Sequence, residues 1–240
     1  MNTSQGKKLA VYFCVGSENT NGRPLLDVVK QAVLGGVTTV QLREKDVSGK
    51  ALSAHKFLEV ARETSQMLSD LFPDAKEGPL LIINDRVDVA MALHLDGYRV
   101  DGVHLGQNDL PPDVVGMMFD AIGFNNAIIG LSCRSEDALE KAAQYFTSGA
   151  LDYVGMGPLN DTLSKPDVPS GLGITRWGEL AKYAHSLAPN LPILGIGGVT
   201  PEDALPLKQA GAAGYCCITY ISHSQDVKSA AETFSHAWRK

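Results

Sequence analysis

The sequence predicts a single-domain α/β protein whose strands and helices close into a (β/α)8 TIM barrel. Short apolar runs rich in β-branched residues alternate with helix-like stretches along the whole chain. Parallel strands need such crossovers, and eight βα units in 240 residues favour a closed barrel over the alternative, an open doubly wound sheet. Because no linker or low-complexity tract divides the chain, one domain is expected.

The predicted elements follow one another in regular order. The expected strands are residues 9–15, 39–42, 80–84, 102–104, 127–131, 152–156, 192–196 and 214–218. The helix-like stretches include residues 24–34, 49–71, 136–146, 177–187, 201–210 and 227–238. Active sites of such barrels gather at the carboxyl ends of the strands, so polar residues there are candidates for chemistry.

Composition and charge exclude several classes of partner. The formal net charge of −6 argues against nucleic acid and against an anionic membrane surface. No stretch resembles a signal peptide or a membrane span, so a cytoplasmic protein is expected, with residues 1–8 as a flexible tail and 9–240 as the barrel. The four cysteines lack C-x-x-C spacing and are expected to be reduced thiols. Assembly into a homo-oligomer is left open.

Charged side chains stand at the end of the second strand. Because successive side chains of a strand point to opposite faces, Gln41, Arg43 and Lys45 share one face while Glu44 lies on the other. A buried ammonium or guanidinium group is costly without a partner. Two alternatives follow: an internal network of ion pairs with protein carboxylates, or a site for an anionic ligand.

Two aspartates follow the third and fourth strands. Asp85 and Asp109 are expected to reach the same mouth as Arg43 and Lys45. Mg²⁺ is commonly held by one or two carboxylates and shared with substrate phosphates, so this cluster predicts a Mg²⁺ site. For Asp109, capping of the following helix is an equally supported alternative.

Further polar groups are expected at this mouth. Ser132 ends the fifth strand and is expected to donate a hydrogen bond, because no G-x-S-x-G context suggests a nucleophile. The long loop 157–171 is typical of a binding loop. The glycine-rich turn 195–201 and the end of the eighth strand predict a backbone-lined phosphate site. Two anion sites in one mouth fit a reaction that joins two phosphorylated small molecules. His104 is expected to face the helices.

Five ordered motifs resemble the thiamine-phosphate synthase family along nearly the whole chain. They are residues 40–45 (VQLREK), 83–88 (INDRVD), 101–109 (DGVHLGQND), 152–158 (DYVGMGP) and 195–199 (GIGGV). The resemblance implies a (β/α)8 enzyme with Mg²⁺ as its cofactor and small molecules as its substrates. Mg²⁺ is expected on Asp85 and Asp109.

The resemblance also implies which residues bind substrate. Hydroxymethylpyrimidine diphosphate is expected at Gln41, Arg43, Lys45, Asn84, Ser132 and Lys165, and Glu44 is also expected to bind substrate. Thiazole phosphate is expected at Thr162, Ser164, Gly198, Ile218 and Thr219. The residues expected to be catalytic are Arg43, Lys45, Ser132 and Lys165.

The implied reaction is the loss of pyrophosphate to leave a resonance-stabilised pyrimidine methylene cation, which the thiazole nitrogen then attacks. The product is thiamine phosphate, and the sequence leaves open whether the thiazole is carboxylated. Asp161, Ser164 and Tyr220 depart from the residues common in the family, which are proline, threonine and a small residue. The alternatives are a thiazole tautomerase-like enzyme, a catalytically silent regulatory barrel that binds phosphate, and a barrel whose mouth holds only ion pairs.

Overall fold

Eight parallel strands close into a barrel in the computed structural model, and each pairs with its neighbours in sequence order. The structure describes residues 8–45, 49–50, 52–161 and 170–240. The strands are β1 Val11–Val15, β2 Thr39–Leu42, β3 Leu80–Asn84, β4 Gly102–Leu105, β5 Ile128–Cys133, β6 Tyr153–Met156, β7 Ile193–Ile196 and β8 Gly214–Cys217. Because β8 pairs with β1, the closed barrel is confirmed and the open sheet is wrong. Residues 1–7, most of the predicted tail, lie outside the described residues.

Helices cover the outside of the barrel. They are α1 Leu25–Leu34, α2 Ala54–Leu71, α3 Val87–Leu95, α4 Pro112–Ala121, α5 Glu136–Thr147, α6 Gly173–Leu187, α7 Ala204–Gln209, α8 Thr219–Ser222 and α9 Val227–Arg239. The second helix was predicted from residue 49, but α2 begins after Ser53, whose side chain accepts the Lys56 amide as an N-cap. In the described part of the chain, no helix is long and apolar enough to cross a membrane.

The strands separate two cores. In β1, Phe13 and Val15 belong to the large core between strands and helices, whereas Tyr12 and Cys14 belong to a smaller core inside the barrel. This alternation follows from the two-residue period of a strand. The pairing of β1 with β2 places Gln41 directly beside Cys14, so polar groups enter the barrel interior.

Side chains that precede alternate strands tie the amino-terminal rim of the barrel together. The Val11 amide donates to Thr38 Oγ1 at 3.0 Å, the Leu81 amide to Asp101 Oδ2 at 2.7 Å, and the Ile129 amide to Asp152 Oδ2 at 2.8 Å. Asp101 and Asp152 open two of the five motifs, yet they lie at the end opposite the predicted site. Since that end of such barrels serves stability, their role is structural.

Replacing Asp101 by asparagine should make stability less dependent on pH. Burial raises the pKa of the Asp101 carboxyl, while the Leu81 amide and Arg99 act in the opposite direction. The folded chain therefore holds this proton more tightly than the unfolded chain, whose aspartate pKa is about 3.9. The contribution of Asp101 to the free energy of unfolding is fully present below the pKa of the unfolded chain. It is lost as pH rises through the pKa of the folded chain.

Urea unfolding of the wild type and Asp101→Asn from about pH 4 to pH 7 measures this effect. The free energy of unfolding of the wild type minus that of the variant should fall as pH rises. A difference that rises with pH would contradict the assignment.

Candidate functional site

A cavity of about 700 Å³ opens at the carboxyl ends of β5 to β8. Small-molecule sites typically measure roughly 300–1,000 Å³. The predicted site residues that line it are Ser132, Gly198, Ile218 and Thr219. The structure therefore brings these four together from three strand ends, although their roles in binding stay predictions.

A crossing of two loops shapes one wall of this cavity. The amide of Asn160 donates to Gly197 O at 3.0 Å, and its side chain donates to Gly198 O at 3.1 Å. Gly198 has a φ of +64°, and a Cβ there would lie 2.8 Å from Asp161 O, so only glycine fits. Neither Gly198 nor Val199 donates its amide to another described residue. Backbone amides in a glycine turn of this kind are suited to bind an anion.

Ser132 connects the cavity to the barrel interior. Its Oγ lies 3.0 Å from His104 Nε2, and His104 Nδ1 lies 3.0 Å from the Tyr153 hydroxyl. The prediction that His104 faces the helices is wrong, because its ring contacts Tyr153, which belongs to the core inside the barrel. Counting from Val103 and Leu105, which belong to the outer core, would have placed His104 inside.

Gln41 lies deeper in the barrel than expected for a ligand at the mouth. Its Nε2 donates to the Tyr12 hydroxyl at 2.8 Å, and its Oε1 accepts from Cys14 Sγ at 3.1 Å. The side chain is 5% exposed. The structure thus gives Gln41 protein partners on both atoms of its carboxamide, and its contact with substrate stays a prediction.

Arg43 meets a protein carboxylate. Its Nη1 lies 3.1 Å from Glu18 Oε1, in a pair whose side chains are 11% and 14% exposed. Burial raises the pKa of Glu18, although Arg43 opposes the shift. The adjacent Glu44 has a different partner, because its Oε1 accepts the Ser17 amide at 2.9 Å. Glu44 is 2% exposed, and burial raises the pKa of its carboxyl.

Lys45, Asp85 and Asp109 form a second charged cluster. Lys45 Nζ lies 3.3 Å from Asp85 Oδ2, and Asp109 Oδ2 accepts the Gly106 amide at 2.6 Å. Burial and the neighbouring Asp85 carboxylate raise the pKa of Asp109, while Lys45 lowers it. Asp109 closes the turn that starts at Gly106 and does not cap α4, whose N-cap is Pro111. Arg43 and Lys45, the two cations that follow β2, therefore both have carboxylate partners, as the ion-pair alternative requires.

The same cluster has the chemistry of a Mg²⁺ site. Asp85 adopts a φ of +60°, and such strain in a non-glycine residue is typical of functional positions. Among the described residues, no group of three or more His, Cys, Asp or Glu side chains could hold a metal. Two carboxylates suffice for Mg²⁺, because it usually completes its shell with water and substrate phosphates. Asp85 and Asp109 therefore fit this ion.

Asn84 is a buried polar group at the end of β3. The residue is 9% exposed. Register places it beside His104 of β4. The carboxamide thus lies at the carboxyl end of β3, and its contact with substrate stays a prediction.

The loop after β6 carries three further predicted residues, and Thr162, Ser164 and Lys165 lie outside the described residues. At the edge of that gap, Asp161 Oδ1 accepts the Gly171 amide at 2.8 Å. The carboxylate of Asp161 thus joins the two flanks of the loop. Tyr220, another departure from the family pattern, has its ring 5.8 Å from that of Phe234 on α9, so it packs behind the site.

Sequence reasoning missed several residues near the cavity. Arg134, which precedes α5, and Lys141, which lies within α5, both line the cavity. Charged residues on a helix are usually solvated surface, so their sequence positions gave no distinct signal. Cys133 also lines the cavity, but burial raises the pKa of its thiol to about 12, which makes it an inert group. All four cysteines are buried, and none of them forms a disulfide.

Comparison with known proteins gives consistent matches. A family model described as thiamine monophosphate synthase matches residues 11–221. A thiamine-phosphate synthase from Azorhizobium caulinodans is 39% identical over 94% of this chain and 92% of its own length. One from Bacillus velezensis is 38% identical over 97% and 92%. A solved thiamine phosphate pyrophosphorylase from Pyrococcus furiosus is 25% identical, covers 98% of both chains and has a TM-score of 0.75.

Proposed function

The chain belongs to the thiamine monophosphate synthase family, a group of transferases, and we propose that it condenses hydroxymethylpyrimidine diphosphate with thiazole phosphate. The products would be thiamine phosphate and pyrophosphate. One observation carries the proposal. A cavity lined by the Gly198–Val199 turn and a cluster of paired cations and carboxylates both stand at the carboxyl ends of the barrel strands. A pocket for two anionic substrates needs both the cavity and the charged cluster.

The charged cluster is suited to the diphosphate. Arg43 and Lys45 are already held by Glu18 and Asp85, so little ordering is needed when a diphosphate arrives. Asp85 and Asp109 would hold Mg²⁺, which when bound offsets the negative charge that develops on the departing pyrophosphate. Lys165 is proposed to add a further positive charge.

The remaining residues are proposed to orient the reacting groups. The carboxamide of Asn84 offers a donor and an acceptor, which match the amino group and ring nitrogen of a pyrimidine. The amides of Gly198 and Val199, with Thr219, would bind the thiazole phosphate. Bond breaking between the methylene carbon and the diphosphate oxygen leaves a delocalised cation, and the thiazole nitrogen supplies the electron pair for the new bond. Such a reaction needs positioning and charge stabilisation and no covalent nucleophile.

The direct test is pyrophosphate release by the purified protein. The pyrimidine diphosphate is supplied with and without thiazole phosphate, each in Mg²⁺ and in EDTA. Release that needs both substrates and Mg²⁺, with thiamine phosphate formed, is the expected result. Binding without turnover would favour a silent regulatory barrel, and a change in the thiazole alone would favour a tautomerase. Parallel reactions with carboxylated and uncarboxylated thiazole identify the acceptor.

Gly198→Ala should weaken binding of thiazole phosphate. The new Cβ would lie 2.8 Å from Asp161 O and 2.9 Å from Asn160 Cβ, so the phosphate turn must shift. A conformational penalty of roughly 1–3 kcal/mol corresponds to a KM increase of about 5-fold to 150-fold. The KM for the pyrimidine diphosphate should change much less.

Gly149→Ala is the matched control. Gly149 also has a left-handed φ, of +82°, but a Cβ there meets nothing within 4 Å. This variant carries similar backbone strain without crowding the cavity, so both KM values should stay near those of the wild type. Equal effects of Gly198→Ala on the two KM values would contradict the assignment of the phosphate turn.

A further inference from the structure

A continuous chain of hydrogen-bonded side chains crosses the barrel interior and ends at the cavity. From the deep end, Cys14 contacts Gln41 at 3.1 Å, and Gln41 contacts the Tyr12 hydroxyl at 2.8 Å. The Tyr12 and Tyr153 hydroxyls lie 2.8 Å apart. His104 then bridges Tyr153 and Ser132, at 3.0 Å on each ring nitrogen. Of these groups, only Ser132 lines the cavity.

The chain is shielded from water up to its last member. Cys14, Gln41, Tyr12, Tyr153 and His104 are each at most 5% exposed. Burial raises the pKa of both tyrosines, so both carry their hydroxyl hydrogen. In a site without water, a polar hydrogen that has no acceptor costs free energy. Each hydroxyl or amide hydrogen is therefore expected to be donated to the next side chain in the series.

The deep end determines the direction in which the donors point. A thiol is a donor and only a weak acceptor, so Cys14 is best satisfied by the carbonyl oxygen of Gln41. The amide nitrogen of Gln41 then faces Tyr12 and donates to its hydroxyl oxygen. With that oxygen accepting, the Tyr12 hydrogen is directed to Tyr153, and the Tyr153 hydrogen to Nδ1 of His104.

We propose that this chain holds His104 as the neutral tautomer with its hydrogen on Nε2, and thereby presents the Ser132 hydroxyl to the cavity as a donor. Nε2–H donates to Ser132 Oγ, so the serine hydrogen is left to a ligand. His104, Tyr153 and Tyr12 are positioning residues. If the hydrogen bonds ran in the opposite direction, His104 Nε2 would be an acceptor. Ser132 would then donate its hydrogen to His104 and not to a ligand. The consequence for catalysis rests on the proposed function, because an anionic diphosphate needs donors.

Two glycines keep the rings of this chain in place. A Cβ at Gly130 would lie 2.2 Å from Cζ of Tyr153, and a Cβ at Gly155 would lie 3.2 Å from Cε1 of His104. The rings of Tyr153 and His104 therefore occupy the space that side chains at Gly130 and Gly155 would fill. The Tyr12 and Tyr153 rings also pack against each other, with centroids 6.0 Å apart. This packing limits the ring motions that would reverse the hydrogen bonds.

Long-range ¹H–¹⁵N NMR of histidine-labelled protein tests the proposal directly. The pattern of ring couplings distinguishes the two neutral tautomers and the imidazolium. Loss of one signal set in His104→Gln assigns the residue. The wild type should show His104 with its hydrogen on Nε2. A hydrogen on Nδ1, or a doubly protonated ring at pH 7, would overturn the proposal.

Tyr12→Phe tests transmission along the chain, because it removes one hydroxyl and touches neither His104 nor Ser132. The single tautomer should become a mixture, and kcat should fall by about tenfold, the cost of one hydrogen bond of roughly 1.4 kcal/mol. The KM for thiazole phosphate should not change. A His104 spectrum that stays purely Nε2–H in this variant would overturn the relay.

Tyr215→Phe is the matched control. Tyr215 is also fully buried, and its hydroxyl donates to Phe234 O on the far side of the barrel wall. Losing this hydroxyl should lower stability without altering the His104 tautomer. If Tyr12→Phe does not fold, Tyr153→Phe repeats the test one link closer to His104. The spectra are recorded without substrate, so they remain decisive even if the protein forms no thiamine phosphate.

Discussion

Asp85→Asn and Asp109→Asn should each lower kcat for pyrophosphate release by about two to three orders of magnitude. Each change removes one of two carboxylates that stand together beside Lys45. A group that stabilises charge developing in the transition state is worth roughly 2.7–4 kcal/mol, which is the basis of this expectation. The loss should be in kcat more than in KM, because the diphosphate also meets Arg43 and Lys45.

The effect should depend on the concentration of Mg²⁺. Raising Mg²⁺ should recover part of the activity of both variants, because a weakened site fills at higher metal concentration. Asp113→Asn is the matched control, since Asp113 is exposed in the first turn of α4. It should retain wild-type kcat and Mg²⁺ dependence. Full activity of Asp109→Asn at low Mg²⁺ would remove Asp109 from the metal site.

Gly102→Ala should lower the free energy of unfolding by more than about 4 kcal/mol, or prevent soluble expression. A Cβ at this position would lie 1.9 Å from Ile128 O and 2.6 Å from Ile128 N. These are backbone atoms of the neighbouring strand, and Gly102 pairs with Ile128 in the barrel ladder. Because neither strand can move without breaking the closed sheet, the overlap has no inexpensive relief.

Gly116→Ala provides the opposite result with the same chemical change. Gly116 lies within α4, and a Cβ there meets nothing within 4 Å. Alanine should therefore stabilise the helix by about 0.5–1 kcal/mol. Urea unfolding of both variants measures the contrast. A Gly102→Ala protein as stable as the wild type would show that β4 and β5 tolerate a wider separation.

Local sequence patterns were enough to predict the order of strands and helices. The strands at 39–42 and 80–84 were predicted at the observed boundaries, because each is a short apolar run flanked by turn residues. The start of α2 was predicted too early, because Ser53 caps this helix and residues 49–50 precede the cap. The closed barrel followed from repetition of the same unit, which is a property of the whole chain.

The sequence also placed the candidate residues at strand ends, but it did not determine their partners. Arg43 meets Glu18 across 25 residues, and Lys45 meets Asp85 across 40. Both alternatives for the β2 face were chemically reasonable, and only the packed strands decided that carboxylates are present there. The roles assigned to Arg43, Lys45, Asp85 and Asp109 in the reaction stay predictions.

By itself, the sequence determined the barrel, the mouth at which polar residues collect and the family to which the chain belongs, because periodicity and motifs are read along the chain. Tertiary structure alone decided that His104 bridges Tyr153 and Ser132 and that Gln41 is engaged by Tyr12 and Cys14. It also decided that glycines at 130 and 155 make room for the rings of Tyr153 and His104. The physical reason is that these contacts join different strands, whose register and closure are fixed only when the whole sheet forms.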